Sequence, residues 1–417
     1  MKVFKFGGAS VRDADGVRNL TSILEREAVG SVVIVVSAMG KTTNLLESLN
    51  YSYLNAKDDV HQLLNDLKHY HKQILTDLFS NPDHPVFDEV ANTFIEIEWM
   101  LEDEPHPDFD FNYDQIVSIG EILSSRIVSS YLNERGLPTR WLDARGYIHT
   151  DNTYREGGIN MEKTRIAIEA LKKTQQDQFI ITQGFIGGTS ENFTTTLGRE
   201  GSDYSAAIFA SFLEAESLTI WKDVPGVMNC DPKLFDSAQK YANLSYSEAL
   251  EMSYYGASVI HPKTIKPLRN AGIPLFVKPF LQPEEEGTRI DGAPYTKPEF
   301  PAIIVKKDQV LVSLSTSDFS FISEDVLSRI FKVLENLHIR TNMIQVSALS
   351  FSMCFDQNEH KFSKLIDELK EFKIKYNEGL ELVTLRHYQL EDVKKITLGK
   401  TVILEQFSRN TAQFILK

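Results

Sequence analysis

The sequence predicts an α/β protein in which an open, mainly parallel sheet carries helices on both faces. It also predicts ferredoxin-like βαββαβ modules after that sheet, the second of them abridged. Strand-like runs alternate with helix-like segments up to residue 281, and a polar connector with several prolines covers 282–300. From residue 301 the segments become shorter and follow the order βαββαβ. We therefore expect three parts, with the boundaries 1–281, 282–300 and 301–417.

The segments of the first part can be predicted in order. Residues 2–6 predict a short strand that ends at two glycines, and the periodicity of 11–28 predicts a helix. Residues 31–36 are a β-branched run, typical of a strand buried on both faces of a parallel sheet. Residues 44–78 predict a helical stretch, and 116–131 a strand that passes into a helix. Further strands are predicted at 179–182, 217–221 and 273–277, and further helices at 202–213 and 245–254.

The last part predicts one complete module and one shortened copy. The first module comprises strand 310–314, helix 326–337, strands 343–348 and 350–355, helix 360–372 and strand 380–385. A hairpin of 401–407 and 411–416 follows. We expect little room for a helix between residues 387 and 400, and none for a last helix. A strand at 302–305 is available to complete the second sheet.

The charge and the cysteines exclude several classes of protein. The 417 residues include 44 Lys and Arg against 58 Asp and Glu, a net charge of −14. This balance disfavours nucleic acids and anionic membranes as main partners. The two cysteines, Cys230 and Cys354, are far apart, so neither a disulfide scaffold nor a zinc site is expected. The longest apolar run near the N-terminus, 32–36, is too short to span a bilayer, and we expect a soluble, cytoplasmic protein.

Three groups of residues could bind an anionic ligand. The first strand delivers Lys5 and then Gly7 and Gly8, which would place an ammonium group beside free backbone N–H groups. A tight strand-to-helix turn explains the same glycines. The segment is not a dinucleotide fingerprint, because the third glycine is missing. Nor is Gly40-Lys41-Thr42 a P-loop, because Val35 stands where that motif needs glycine.

The other two groups lie further along the chain. In Thr194-Thr-Thr-Leu-Gly-Arg-Glu-Gly-Ser-Asp203, Ser202 is a good helix cap and Asp203 suits the first helical turn. A well-capped helix would explain both residues, but not Arg199. Trp221-Lys-Asp-Val-Pro-Gly226 places Lys222 and Asp223 at the carboxyl edge of the sheet, where ligands bind in open α/β folds. An ordinary turn after a strand is the alternative.

Together these segments resemble the aspartate kinases of the amino-acid kinase superfamily over essentially the whole chain, with two C-terminal ACT-type modules. The matching motifs are Lys5-Phe-Gly-Gly-Ala-Ser-Val11, Val36-Ser-Ala-Met-Gly-Lys-Thr-Thr-Asn44, Gly120-Glu121, Gln183-Gly-Phe-Ile186, Thr196-Leu-Gly-Arg-Glu-Gly-Ser-Asp203, Trp221-Lys-Asp-Val-Pro-Gly226 and Gly256-Ala-Ser-Val-Ile-His-Pro262. The resemblance implies transfer of the ATP γ-phosphoryl group to the side-chain carboxylate of L-aspartate, giving 4-phospho-L-aspartate for lysine, threonine and methionine biosynthesis. Mg²⁺ would be held mainly by the nucleotide. An aspartate side chain is ionised at neutral pH, so no general base is needed.

The resemblance also implies a role for each matching residue. Lys5 would stabilise the charge on the transferring phosphate, with N–H groups from Gly7 and Gly8. Asp203 resembles the family's catalytic aspartate and would act through Lys5 and metal-bound water. Arg199 would bind a substrate carboxylate, and the other substrate-binding residues would be Glu121, Thr43 and Ser202. The remaining nucleotide-binding positions are Ser37, Lys222, Asp223, Met228, Lys233 and Ser258.

Simpler structural roles compete with these assignments. Lys5 could be a charge on an edge strand, and Glu121 an acid that serves a helix dipole. Thr43 or Asn44 could be only a helix cap. His261 is expected to start a helix rather than to act in catalysis.

Some positions depart from the family pattern. Ala9 replaces a usual threonine, Met228 a common tyrosine and Ser258 a common lysine. Glu200 replaces a usual glycine and adds negative charge beside a pocket for anions, so we expect its side chain to point outward or pair with a lysine. Ala9, Glu200 and Ser258 leave open an inactive amino-acid-sensing protein. A superfamily kinase for another small acid is the other alternative, and Glu121 and the ACT pair argue against it.

Two expectations concern regulation. The start of the first module's helix at 323–326 lacks the glycine expected to approach an effector. Asn342 and Ala348 stand where lysine-sensitive relatives are acidic. We therefore expect weak or absent inhibition by lysine. A homodimer through the ACT-type modules is also expected, because a truncated second module leaves a sheet edge that pairing would cover.

Overall fold

The computed structural model describes residues 1–28, 30–174, 179–257, 260–293, 298–318 and 320–417. The chain divides into two compact units. The first consists of Met1–Val227, Lys240–Leu250 and Ser258–Thr296, and the second of Met228–Gln239, Glu251–Ala257 and Lys297–Lys417. None of the helices in the described residues is both long and apolar enough to cross a membrane.

An eight-stranded sheet organises the first unit. The strands up to residue 293 are β1 (Lys2–Phe6), β2 (Val32–Val36), β3 (Thr139–Leu142), β4 (Phe179–Gln183), β5 (Ile186–Gly188), β6 (Thr194–Thr196), β7 (Leu218–Lys222), β8 (Asn243–Ser245), β9 (Leu275–Pro279) and β10 (Thr288–Asp291). Their order in the sheet is β3-β4-β2-β1-β7-β9-β10-β8, and β5 pairs with β6 in a separate hairpin. The run from β3 to β9 is parallel and only β10 is antiparallel to its neighbour β9, so the predicted, mainly parallel sheet is confirmed.

Helices cover both faces of this sheet, as predicted. The α-helices up to residue 293 are α1 (Ala14–Glu27), α2 (Thr42–Leu54), α3 (Val60–Leu78), α4 (Val86–Glu102), α5 (Phe109–Val117), α6 (Ile119–Glu134), α7 (Met161–Thr174), α8 (Gly201–Leu213), α9 (Tyr246–Tyr255) and α10 (Pro262–Ala271). On β1, Phe4 and Phe6 belong to a buried cluster that includes Leu20 of α1. The intervening Lys5 faces the other way and contacts α8. The two faces therefore alternate along one strand, as the period of a strand requires.

Three local predictions were wrong. Residues 116–131 contain no strand, because 116 and 117 end α5 and α6 follows from residue 119. This apolar stretch is buried almost all round, and periodicity alone cannot distinguish a buried helix from a buried strand. The helical stretch 44–78 is two helices, α2 and α3. Helix α4 was not predicted, because its flanking prolines indicated loops; Pro85 in fact precedes its first residue.

The second unit contains a six-stranded antiparallel sheet. Its elements are β11 (Ala302–Ser315), α11 (Glu324–Asn336), β12 (Thr341–Val346), β13 (Ser350–Asp356), α12 (Glu359–Glu368), β14 (Lys373–Arg386), α13 (Leu390–Thr397), β15 (Val402–Phe407) and β16 (Thr411–Leu416). The strand order is β12-β13-β11-β14-β16-β15. The elements from β11 to β14 form the complete βαββαβ module, and the shortened copy follows.

The long strands β11 and β14 each belong to both copies of the module. Strands β11 and β14 have 14 residues each, and they pair along their length, with register shifts between Lys306 and Gln309 and between Gln309 and Leu311. The predicted strand at 302–305 is the first part of β11, and it pairs with the end of β14. The expectation of little room for a helix between 387 and 400 was wrong, because α13 fits there in eight residues.

Candidate active site

Two lysines from neighbouring strands meet one buried aspartate. Lys5 of β1 and Lys222 of β7 leave the same face of the sheet, because Lys5 is paired with Ile220, two residues before Lys222. Asp203 lies in the first turn of α8 and has no exposed side-chain surface. Its Oδ1 is 2.6 Å from Nζ of Lys5, and its Oδ2 is 3.4 Å from Nζ of Lys222. The sheet register and the start of α8 thus fix two ammonium groups on one carboxylate.

The charge of this cluster is stable at neutral pH. Burial alone would raise the pKa of Asp203, but the ammonium groups of Lys5 and Lys222 outweigh it and lower the pKa below its usual range. Asp203 is therefore an anion, and it cannot serve as a proton acceptor near pH 7. Strand β1 lies between β2 and β7, so the alternative of Lys5 as an edge-strand charge is wrong.

The two glycines after β1 allow the backbone to pack tightly beside Lys5. A side chain at Gly8 would place its Cβ 2.6 Å from the carbonyl oxygen of Ala38. The carbonyl of Gly8 accepts a hydrogen bond from the N–H of Gly40 at 3.0 Å. Gly7 is close to the ammonium group, since a Cβ there would be 3.5 Å from Nζ of Lys5. The two glycines thus form a tight strand-to-helix turn, and Gly7 also lies close to the ammonium group of Lys5.

Glu121 is the second buried acid of the region. It lies in the first turn of α6, and the side chain of this residue is only 3% exposed. Its Oε1 accepts a hydrogen bond from the N–H of Ala38 at 3.1 Å, while Oε2 is buried without a partner among the described residues. Burial raises the pKa of Glu121 to about 8, against the opposing effects of that N–H and of Lys5. A surface acid that serves only the helix dipole would not be buried in this way.

Lys5 and Glu121 line the same cavity, which has a volume of about 540 Å³ and lies in the first unit. Six predicted site residues line it, namely Lys5, Ser37, Thr43, Glu121, Arg199 and Ser202. Asp203 contacts the cavity wall through Lys5. The remaining lining residues are Tyr113, Arg155, Glu156, Phe185, Thr196, Gly198, Glu200 and Gly201.

The other predicted nucleotide positions are dispersed. Asp223 is exposed just after β7. Met228 and Lys233 belong to the second unit, where Met228 is half-buried and Lys233 exposed. Ser258 lies outside the described residues. For these four positions a role in binding nucleotide remains a prediction.

Helix ends settle several alternatives. Helix α2 begins at Thr42 after Lys41, so neither Thr43 nor Asn44 is its cap. The residue that precedes α8 is Glu200, and the interpretation of Ser202 as the cap was wrong. His261 does cap α10, as predicted: its Nδ1 accepts a hydrogen bond from the N–H of Lys263 at 3.2 Å.

Sequence motifs missed one wall of the cavity. Arg155 stacks on the ring of Tyr113, with its guanidinium carbon 4.1 Å from the ring centroid. Asp114, which is fully buried, accepts hydrogen bonds from the N–H groups of Arg155 at 2.9 Å and Thr196 at 2.8 Å. It also accepts one from Oγ1 of Thr196 at 2.7 Å. Of these residues only Thr196 belongs to a quoted motif, and nothing in the sequence indicated that Tyr113, Asp114 and Arg155 would join it.

Part of the backbone strain of the chain lies at the same cavity. Three lining residues other than glycine have left-handed backbone angles: Arg155 with φ 65°, Phe185 with φ 70° and Glu200 with φ 55°. Such angles cost free energy in residues with a side chain, and they persist where the surrounding structure enforces them. Glu200 does not point outward, because it is half-buried and lines the cavity. Of the two expected arrangements the first was wrong; the carboxyl interacts electrostatically with Lys222 and Lys5.

Comparison with known proteins shows the family to which the chain belongs. Residues 1–279 match the amino acid kinase family. The chain is 30% identical over 418 residues to lysine-sensitive aspartokinase 3 of Escherichia coli (strain K12), covering 97% of this chain and 91% of that protein. The chain belongs to the amino acid kinase family, among its aspartokinases. It is also 30% identical over 400 residues to the chloroplastic aspartokinase 1 of Arabidopsis thaliana, covering 92% of this chain and 68% of the relative.

Solved structures of aspartokinases have the same fold. E. coli aspartokinase III in complex with aspartate and ADP superimposes with a TM-score of 0.86 at 27% identity, covering 100% of this chain and 96% of that chain. The same enzyme in complex with lysine and aspartate gives a TM-score of 0.82 at 27% identity, covering 100% and 95%. Both the catalytic fold and the C-terminal modules of this chain are therefore those of an aspartokinase.

Proposed function

We propose that this aspartokinase transfers the γ-phosphoryl group of ATP to the side-chain carboxylate of L-aspartate, giving 4-phospho-L-aspartate. The observation that carries the proposal is the placement of Lys5, held by Asp203, beside the buried carboxylate of Glu121 in one cavity. An enzyme that joins two anions needs fixed cations at the point of transfer. An amino-acid substrate in addition needs an anion for its ammonium group, which Glu121 offers once its carboxyl has lost its proton.

Each residue has a role in this proposal. Lys5 stabilises the negative charge that develops on the transferring phosphoryl group, with the N–H groups of Gly7 and Gly8 beside it. Asp203 holds Lys5 in place and takes no proton, because its pKa is low. The aspartate carboxylate attacks without a base, since it is ionised at neutral pH.

The substrate would be held by its charged groups. Oε2 of Glu121 is buried without a partner among the described residues, and it would bind the substrate ammonium. Arg199 would bind the α-carboxylate through its planar guanidinium. Thr43 and Ser202 line the same cavity and would complete the site with hydroxyl groups.

The nucleotide would bring the metal ion. The described residues contain no group of three or more His, Cys, Asp or Glu side chains that could hold a metal, so Mg²⁺ would be held mainly by phosphates. When bound, Mg·ATP supplies the phosphoryl group and neutralises part of its charge. Lys5, which lines the cavity, and Lys222, which pairs with the same Asp203, would be the cations for the phosphates. The further nucleotide positions proposed are Ser37, Asp223, Met228, Lys233 and Ser258.

The C-terminal modules would bind an amino-acid effector and form a homodimer. E. coli aspartokinase III has been solved in complex with lysine and aspartate, which supports a response to an amino acid in this chain too. Strand β15 is an edge of the six-stranded sheet, and pairing with a second copy of the chain would cover this edge. A monomer by light scattering at the assay concentration would contradict the dimer.

An ADP-release assay with hydroxylamine trapping tests the activity directly. It should be run with aspartate, with glutamate and without amino acid. We expect turnover with aspartate and a trapped hydroxamate. If folded protein binds Mg·ATP but shows no turnover with aspartate, an inactive amino-acid sensor is the better interpretation. Turnover with glutamate instead would indicate a kinase for another small acid.

A further inference from the structure

Glu200 is an acid at an unusual place in the active site. It immediately precedes α8, with φ 55° and ψ 27°, and its side chain makes no capping hydrogen bond to the helix. A residue at the start of a helix usually uses its side chain as a cap. At this position the backbone angle is unfavourable for a glutamate, and the side chain does not cap the helix. Neither backbone conformation nor capping therefore explains why a glutamate is present.

The side chain of Glu200 instead faces the charged cluster. It lines the cavity together with Lys5 and is half-buried. Its carboxyl interacts electrostatically with Asp203 of its own helix, with Lys222 of β7 and with Lys5 of β1. The other charged groups that line the cavity are Arg199, Arg155, Glu156 and Glu121.

The charges of this cluster bear on phosphate binding. Lys5 and Lys222 carry two positive charges, and Asp203 cancels one of them. One positive charge is left for an incoming phosphate, and an ionised Glu200 would cancel that as well. Burial and the neighbouring Asp203 raise the pKa of Glu200, while Lys222 and Lys5 act in the opposite direction. The net result is a raised pKa, so the carboxyl of Glu200 is protonated more readily than that of an exposed glutamate.

We propose that Glu200 is a displaceable counter-ion of Lys5 and Lys222 that competes with the nucleotide phosphates for these two ammonium groups. Its carboxyl interacts electrostatically with both of them, so nucleotide binding must neutralise it or move it away. This inference rests on the proposed function, because it requires that the phosphates bind at this cavity. Its consequence is a weaker affinity for nucleotide than the lysines alone would give.

The test is the affinity for Mg·ADP of the full-length chain, measured by titration calorimetry at pH 6 and pH 8. Glu200→Gln keeps the shape of the side chain and removes its charge. We expect it to bind Mg·ADP more tightly by roughly three- to tenfold at pH 8, since a solvent-screened charge is removed from beside two cations. The gain should be smaller at the lower pH, because the pKa of Glu200 is raised and its charge is lost as the pH falls. The KM for aspartate should stay within about twofold, because Glu200 opposes the phosphates and not the amino acid.

The other end of the same helix offers a matched control. Glu214 follows α8 with φ 51°, and its exposed side chain pairs with Lys172 at 3.1 Å. Glu214→Gln should leave the affinity for Mg·ADP unchanged. Glu200→Gly suits the left-handed backbone and should reproduce the gain, so the test survives if the Gln variant fails to fold.

Unchanged or weaker Mg·ADP binding in both Glu200 variants would overturn the inference. So would an equal gain in Glu214→Gln, because it would show a general charge effect. The proposed function fails separately: wild-type protein that binds Mg·ADP but has no aspartate-dependent turnover contradicts the activity and leaves the Glu200 comparison intact. Absence of Mg·ADP binding in the wild type and in both Glu200 variants would overturn both proposals.

Discussion

The ammonium nitrogen of Lys5 lies 2.6 Å from Oδ1 of Asp203, a carboxylate with no exposed surface. A fixed anion rather than solvent therefore orients this lysine. Preorganised charge of this kind costs little reorganisation when the reaction occurs, which is why it is effective in catalysis. Asp203 does not depend on Lys5 alone, because Lys222 lies 3.4 Å from its second oxygen.

Replacing Lys5 with alanine should abolish turnover and leave the protein folded. We expect kcat to fall by roughly 10²- to 10³-fold or more, as when one stabilising donor is lost from an active site. The fold should survive because Lys222 still compensates the buried Asp203. ADP release and thermal unfolding measure the two effects. Lys2→Ala, in the same strand, should keep its activity; activity retained in Lys5→Ala would remove the assignment of Lys5.

The stability of the ligand-free protein should depend on pH through Glu121. Its pKa is about 8 in the folded protein and 4.5 ordinarily, so the folded protein binds the extra proton between these values. The contribution of Glu121 to the free energy of unfolding therefore falls as the pH rises from about 4.5 to about 8, and it is constant above about 8. Denaturant titrations should show a free energy of unfolding that is lower at pH 8 than at pH 5 by on the order of 3 kcal/mol. This difference should be absent in Glu121→Gln. If the free energy of unfolding of Glu121→Gln depends on pH as strongly as that of the wild type, another group causes the effect.

The affinity for aspartate should change in the opposite direction. The substrate ammonium binds the ionised form of Glu121, so the KM for aspartate should fall as pH rises from 6 toward 8. The Gln variant should have a high KM without this slope. A KM for aspartate that is independent of pH in the wild type would contradict the role of Glu121 as the ammonium ligand.

Gly184 should not tolerate a side chain. A Cβ at this position would lie 2.6 Å from Cβ of Ser202, at the start of α8. Gly184→Ala should therefore shift Ser202 and Asp203 together and lower kcat/KM by roughly tenfold or more, as misplaced catalytic groups do. Gly146→Ala is the control, since nothing lies within 4 Å of its added Cβ. Equal activity of the two variants would show that α8 can move without cost.

Inhibition by lysine should be weak or absent. The side chain of Asn342 is neutral, and its oxygen accepts a hydrogen bond from Nζ of Lys306 at 2.8 Å. Its amide donates to Gln309 at 2.8 Å and to Asp356 at 2.9 Å. An effector ammonium would have to displace Lys306 and would gain no full negative charge from Asn342. A steep inhibition curve at low lysine would refute this prediction.

The sequence predicted those parts of the site that lie within one strand or one helix start. Lys5 and Asp203 could be predicted because each stands in a motif whose local structure is strongly favoured. The wall of Arg155 and Tyr113 could not, because Asp114 brings it together by hydrogen bonds to Thr196, 82 residues away along the chain. The direction of Glu200 depended on a left-handed backbone angle, which a glutamate does not indicate.

The elements of the fold also differ in whether the local sequence was enough to predict them. Strand β2, a run of buried β-branched residues, was predicted from composition alone. Helix α6 has twelve buried residues, and this burial concealed the helical period that normally identifies a surface helix. Its environment, rather than its own pattern, makes this segment a helix.

Strands β11 and β14, with 14 residues each, run through both C-terminal copies. Unfolding of one copy would disrupt β11 and β14, which are also paired strands of the other copy. We therefore expect that neither copy unfolds alone. The two copies should therefore melt as one cooperative unit, without a species in which only one is intact. A cut in the loop between β15 and β16 would then weaken even the far edge of the sheet at β12.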